Sequence, residues 1–278
     1  MTVLRIAAFS DGNKGGNPAG VWIGDDLPSE STMQAIAAEV GFSETAFAAP
    51  AGGAWRVRYF SPACEVPFCG HATIALGAAL ALQHGDRTFE LTLNRAKISV
   101  AGRRNGLAIA ASLQSPPTRS APLDPSLLAD LLRLFDYATG DLDLEIPPAK
   151  IHAGADHAVL ALKERNALAR MSYDFDRGRE LMEKAGLITI ALVTRENPQL
   201  FHVRNAFAAG GLREDPATGA AAAAFAGYLR DIGWPHGSVI NIVQGEDMGM
   251  RSLIRAEIGG IAGSSITVSG TARIMNDA

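Results

Sequence analysis

The stretches ATIALGAALAL, residues 72–82, and ATGAAAAAFAGYL, residues 217–229, decide the fold. Both have helical composition, yet neither offers a polar face, and a helix that is apolar or small all round must be buried on every side. Each is under 15 residues, too short for a membrane span. In a chain with many strands, the place for such a helix is inside a wrapping of sheet. Their approaches match as well. Val57-Arg58 leads through Phe60 to Ala72, and Val203-Arg204 leads through Phe207 to Ala217, with 14 residues from Arg to helix start in one case and 13 in the other. A strand, a long loop and an Ala-rich helix thus occur once in each half. This is either an internal duplication or a coincidence of Ala-rich segments.

Working outward, short β-branched or alternating runs predict strands at residues 4–9, 20–23, 54–60, 89–93 and 98–101. Further strands are predicted at 157–162, 188–194, 201–205, 238–243, 253–258 and 265–268. Helices are predicted over 31–40, 126–135 and 177–185, the second amphipathic and preceded by Pro125. Strands outnumber helices and do not strictly alternate with them, which argues for an α+β fold rather than a doubly wound sheet. Residues 113–124, with Pro116, Pro117 and Pro122 among Ser and Thr, are expected to continue neither element. They divide the chain into halves 1–117 and 118–278, with the last strand a candidate to return to the first half.

The 278 residues fit two domains at roughly 150 residues each. Apolar residues make up 47% and charged residues 19%, so the chain has ample core and disorder is excluded. With 25 Lys+Arg against 29 Asp+Glu, the net charge of -4 is spread without a long block of either sign. Nucleic acid and anionic membrane are therefore not expected partners. Two cysteines make no disulfide framework, and residues 1–10 lack a signal-peptide core, so a cytoplasmic location is expected.

The ends of the two apolar helices are where chemistry is expected. A buried helix directs its first N–H groups and a partial positive charge outward, and two such ends across a cleft would hold a carboxylate. Gly70 and Gly219 would admit a ligand close to the backbone, or merely allow tight packing of each helix start. His71, at the first helix start, reads either as a structural or cap-like histidine or as a neutral hydrogen-bonding partner at an anionic substrate. Asp215, before Pro216, reads either as an N-cap or as a substrate contact. Glu44 is either a solvated loop carboxylate or, facing an apolar cleft, a proton shuttle. No phosphate loop or dinucleotide fingerprint occurs, and His152, Asp156 and His157 are better explained by a turn before a strand than by a metal. A site without metal or cofactor is expected.

Four runs in order carry a family resemblance: Gly16-Asn17-Pro18-Ala19-Gly20-Val21, Ser43-Glu44-Thr45-Ala46-Phe47, residues Glu65 to Thr73, and Glu214-Asp215-Pro216-Ala217-Thr218-Gly219. With Gln244-Gly245, Met248-Gly249 and Arg251-Ser252, they resemble the PhzF-type phenazine-biosynthesis isomerase family. The resemblance implies a diaminopimelate-epimerase-like fold: two similar halves, each a sheet around a central apolar helix, with the active site between them. It implies proton relocation on a small carboxylated, cyclic or unsaturated metabolite, with Glu44 as general base and acid and His71 and Asp215 orienting the substrate. Gly70, Ala72, Thr218, Gly219 and the Ala220 backbone would bind it, and a homodimer is expected. Ala220 stands where the family commonly has Ser, which removes one donor. Racemases of the superfamily resemble a two-thiol design; Cys69 fits the first thiol, and the second is expected at the place held by Pro216. Cys69 therefore reads as a buried small side chain, or as a base in an alternative amino-acid epimerase. A non-catalytic carboxylate-binding protein is the third reading.

Overall fold

The computed structural model describes residues 3–105 and 108–275. The chain divides into two compact units, Met1–Gln114 with Ser269–Ala278, and Ser115–Val268.

The first unit contains β1 (Leu4–Ala8), β2 (Asn17–Ile23), α1 (Glu30–Val40), β3 (Thr45–Ala51), β4 (Ala54–Phe60), β5 (Glu65–Val66), α2 (Gly70–His84), β6 (Arg87–Thr92), β7 (Lys97–Asn105) and β8 (Ala108–Gln114). The second contains β9 (Arg119–Pro122), α3 (Pro125–Phe135), β10 (Ala149–His152), β11 (Asp156–Ala161), α4 (Arg165–Ala169), α5 (Phe175–Ala185), β12 (Thr189–Asn197), β13 (Leu200–Ala206), β14 (Glu214–Asp215), α6 (Gly219–Asp231), β15 (Val239–Gln244) and β16 (Ser252–Glu257). The last strand, β17 (Thr267–Ile274), belongs to the first unit from Ser269 onward.

In the first unit the pairings run β1 to β2, β3, β4, β6, β7 and β8, and β17 pairs with both β8 and β1, so the ladder closes on itself. Helix α2 packs against β1, β2, β3, β6, β7 and β8 and is buried from His71 to Ala81. Its small residues let strands approach closely: a Cβ on Gly102 of β7 would lie 2.2 Å from the Gly77 carbonyl oxygen of α2. Helix α1 covers the other face of the sheet, with Met33 and Ala37 against Trp22, Phe47 and Phe60.

The second unit repeats the scheme. Strands β2–β3 and β11–β12 are parallel, β3–β4 and β12–β13 antiparallel, β4–β6 and β13–β15 parallel, β6–β7 and β15–β16 antiparallel. Helix α6 packs against β9, β10, β11 and β16 and is buried from Ala221 to Leu229. Helices α3 and α5 cover the outer face, with Leu131, Phe135 and Met182 packed against Leu160 and Leu192. These outer helices are capped conventionally: Asp124 and Asp174 accept from first-turn amides, as Ser29 does for α1. Neither α2 nor α6 has a side-chain cap.

Several expectations need correction. Residues 113–124 do carry structure, because β8 runs to Gln114 and β9 pairs with β10. Pro122 is accommodated at the end of β9, where a missing N–H costs no internal ladder bond. Helix α6 starts at Gly219 rather than Ala217, and α2 starts at Gly70. Among the described residues, no helix is long and apolar enough to cross a membrane.

Two predictions follow from this packing. Gly102→Ala forces a Cβ into backbone and should destabilise the protein by roughly 1–3 kcal/mol in urea unfolding, whereas an unchanged midpoint would deny the close approach. His157 in β11 is fully buried, with Nδ1 2.7 Å from Thr189 Oγ1, and desolvation pushes it from 6.5 down to about 4. A lowered folded value means that only the unfolded chain takes up the proton between those limits. Stability should therefore hold above about pH 6.5 and fall toward pH 4 by up to ~1.4 kcal/mol per unit. His157→Asn should flatten that acid-side slope.

Candidate active site

In the first unit, Glu44 is the last residue before β3. Its carbonyl accepts from Gly20 N–H at 3.1 Å, which fixes the loop after α1 against β2. The side chain is 14% exposed, and its Oε2 lies 3.5 Å from His71 Nε2. The same nitrogen is 3.3 Å from Ser43 Oγ, while His71 Nδ1 is 3.3 Å from Cys69 Sγ. One imidazole thus joins a carboxylate, a hydroxyl and a thiol at the start of α2. His71 and Cys69 are both buried.

The frame holding this group is hydrogen-bonded throughout. Arg58 of β4 grips Glu65 of β5 bidentately, Nε to Oε1 at 2.7 Å and Nη2 to Oε2 at 2.6 Å. The guanidinium holds Glu65 below the usual carboxylate range, against the opposing effect of burial. Thr73 donates to the Cys69 carbonyl at 2.7 Å and meets Tyr59 OH at 2.7 Å, all buried. Cys69, the N-cap, is therefore pinned by backbone and not free to wander. In an α-helix the amides of Gly70, His71 and Ala72 have no carbonyl four residues back, so they are the donors available at this end.

The second unit has the corresponding frame. Arg204 of β13 grips Glu214 of β14, Nε to Oε1 at 3.0 Å and Nη2 to Oε2 at 2.5 Å. Phe60 pairs with Glu65, and Ala206 with Glu214. Counting forward from these glutamates aligns Val66 with Asp215, Pro67 with Pro216, Cys69 with Thr218, Gly70 with Gly219 and His71 with Ala220. The two N-caps, Cys69 and Thr218, agree with that register. This corrects the expectation about a second thiol: its place is Thr218, and Pro216 instead matches Pro67. A hydroxyl is a poor base near neutral pH, so the absence of a two-thiol pair stands on a different residue.

Asp215 is not the cap of α6. It lies in β14 opposite Asn205, and Thr218 Oγ1 donates to its Oδ2 at 2.5 Å. Gln244, at the end of β15 and 1% exposed, closes the loop. Its Nε2 donates to the Asp215 carbonyl at 2.7 Å and to Thr218 Oγ1 at 3.0 Å, and its Oε1 accepts from Thr218 N–H at 3.1 Å. Thr218 thus has its amide and hydroxyl engaged within the loop, leaving the amides of Gly219 and Ala220 as the first that helix geometry directs outward. The sequence marked Gln244 only as part of a motif. A Gln that ends a strand and precedes Gly is a weak signal, and the partners that give it a role are 26 and 29 residues away.

Glu44, His71, Gly70 and Ala72 are brought together in the first unit, with Ser43 and Cys69 beside them. Asp215, Thr218, Gly219 and Ala220 are brought together in the second, with Gln244. Each group is a helix N-terminus furnished with a carboxylate, suited to orienting a small polar molecule and, in the first unit, to moving protons.

Comparison with known proteins agrees. Residues 6–278 match the PhzC-PhzF family of phenazine biosynthesis-like proteins. The chain is 32% identical over 264 residues to the trans-2,3-dihydro-3-hydroxyanthranilate isomerase of Pseudomonas fluorescens, covering 92% of this chain and 90% of that protein. It is 30% identical over 284 residues to an uncharacterized isomerase of Escherichia coli K12, YddE, covering 98% and 96%. Among solved structures, a predicted epimerase from Pseudomonas aeruginosa aligns with TM-score 0.86 at 23% identity over 99% and 96% of the two chains. A hydroxyproline epimerase from Agrobacterium vitis aligns with TM-score 0.65 at 12% identity over 99% and 89%, a likeness of fold alone. With matched motifs, matched architecture and a match over nearly its whole length, the chain belongs to the PhzC-PhzF family of isomerases.

Proposed function

We propose that the protein is a cofactor-independent isomerase that relocates a proton on a small carboxylated metabolite, with Glu44 as the sole base and acid. The observation that carries this reading is the Glu44 carboxylate 3.5 Å from the His71 imidazole at the start of a buried, uncapped helix. In this reading each unit is a sheet wrapped around one apolar helix whose first amides suit a carboxylate. In the first unit these are the amides of Gly70, His71 and Ala72; in the second they are those of Gly219 and Ala220, beside Asp215, which suits a polar substituent. Glu44 takes a proton from an activated carbon, keeps it as the carboxylic acid, and returns it to another carbon on the same face. One residue suffices because the proton does not leave it. His71 holds the Glu44 oxygen in place and bonds the substrate's polar groups as charge develops.

An epimerase using Cys69 is the second reading, favoured by the thiol 3.3 Å from His71 Nδ1. Thr218 at the matching position of the second unit weighs against it. Action as a homodimer in the cytoplasm completes the proposal.

A heavy-water exchange screen of small carboxylates should identify a substrate. With it, Glu44→Gln should fold and bind normally and lose about 10²–10⁴-fold in turnover, while Cys69→Ala stays within roughly tenfold of the parent. The reverse pattern would establish the epimerase reading, and ligand binding without any exchange would establish a binding protein. Gln244→Leu should raise KM by about tenfold, the effect of ~1.4 kcal/mol. The proposed role of Gln244 is to hold Asp215, so a Gln244→Leu enzyme with unchanged KM would remove it.

A further inference from the structure

We propose that the second unit holds one structural water beneath the start of α6, and that through this water Asn205 acts as a positioning residue for Asp215. Asn205, in β13, is 1% exposed, and its Oδ1 has no hydrogen-bond partner among the described residues. A buried acceptor left unmet is costly, which is why buried polar atoms almost always have a partner. The side chain lines a cavity with Val203, Ala222, Phe225, Ile242 and Gln244. That cavity offers about 10 Å³ to the centre of a water molecule, the room that one water needs and no more. In the first unit the matching positions hold Tyr59 and Thr73, whose buried hydroxyls bond each other at 2.7 Å. The same place is filled there by side-chain hydroxyls, for which Asn205 and Ala222 are too short.

Gln244 supplies the second contact. Its Nε2 hydrogens go to the Asp215 carbonyl and to Thr218 Oγ1, and its Oε1 accepts from Thr218 N–H. A carbonyl oxygen has two lone pairs, so Oε1 has capacity for one more bond. A water has two hydrogens, one for Asn205 Oδ1 and one for Gln244 Oε1, and such a bridge is nearly as good as a direct bond. Val203, Phe225 and Ile242 offer it no competing side-chain partner. Asn205 thereby joins the bonds through which Gln244 and Thr218 hold Asp215. Asn205 and Asp215 also face each other in the β13–β14 ladder, but that pairing is made by backbone, so a substitution of the side chain tests the bridge and spares the ladder. The water stands on the cavity and the unmet acceptor, and its effect on substrate rests on the reading of Asp215 as a substrate contact.

The test joins diffraction from crystals of the full chain to kinetics. Density should show one ordered water within hydrogen-bond distance of Asn205 Oδ1 and Gln244 Oε1. Asn205→Leu, close in volume and without an acceptor, should exclude it, and Asn205→Ser, which keeps an acceptor, should retain it. With a substrate from the exchange screen, Asn205→Leu should raise KM by about three- to tenfold and leave kcat within about twofold, and Asn205→Ser should bring KM back toward the parent value. A cavity without water density in the parent, or a water that persists in Asn205→Leu, overturns the site. Should Asn205→Leu fail to fold, Asn205→Tyr combined with Ala222→Thr fills the cavity as the first unit does, and a water that stays there overturns the site equally. A water bound and excluded as predicted, with KM unchanged in Asn205→Leu, overturns the positioning role while leaving the site. Diffraction needs no substrate, so failure of the water and failure of the isomerase reading are distinguishable.

Discussion

The structure depends on burying a helix that has no polar side. Helix α2 offers Ala, Ile, Leu and Gly in every direction, so strands must contact it all round, and β1, β2, β3, β6, β7 and β8 do. Contact that close demands small residues on both partners, which explains Gly77 against Gly102 and the run of alanines in α6. A helix so enclosed can present its unpaired amides only at an end. The absence of a side-chain cap on Cys69 and Thr218 leaves those amides for something other than the protein's own side chains. Fold and candidate site are thus two consequences of one packing constraint.

The two units keep what this constraint needs and differ in what chemistry needs. Both retain the bidentate Arg–Glu pair, the Pro, the Gly at the first helical position and the parallel and antiparallel pairings. They differ just beyond. Where the first unit has Cys69, His71, Thr73 and Tyr59, the second has Thr218, Ala220, Ala222 and Asn205. Tyr59 and Thr73 fill their space and bond each other; Asn205 and Ala222 line a small cavity, and Asn205 Oδ1 has no partner there. The titratable cluster lies on one copy and the Gln244-braced aspartate on the other. Such divergence suits a division between moving protons and holding substrate.

Much of this was legible from residues. The two apolar helices announced themselves because absence of a polar face has one structural solution, and β4 was read to the residue from its alternation. The duplication could be seen in the matching approaches, but its register could not. Taking Ala217 as the helix start set the expected place of the second thiol at Pro216, whereas the β5 and β14 pairings put Thr218 opposite Cys69. Two-residue strands leave no periodicity to find. β9 was hidden for another reason: Pro122 within it and Pro116 and Pro117 before it spoke against structure, and only the tertiary partner β10 supplies a ladder. Gln244 was invisible as a functional residue because its three hydrogen bonds are all to a distant loop.

In the proposed mechanism one carboxylate both takes and returns the proton. Its most direct measurement is the fate of that proton when a substrate bearing ordinary hydrogen at the departing position is turned over once in heavy water. A single glutamate shielded at the end of α2 predicts a product that retains part of the original hydrogen at its new carbon, with transfer lost in Glu44→Gln. Product fully labelled by solvent, with labelling that persists in Glu44→Gln and fails in Cys69→Ala, would overturn the single-glutamate mechanism.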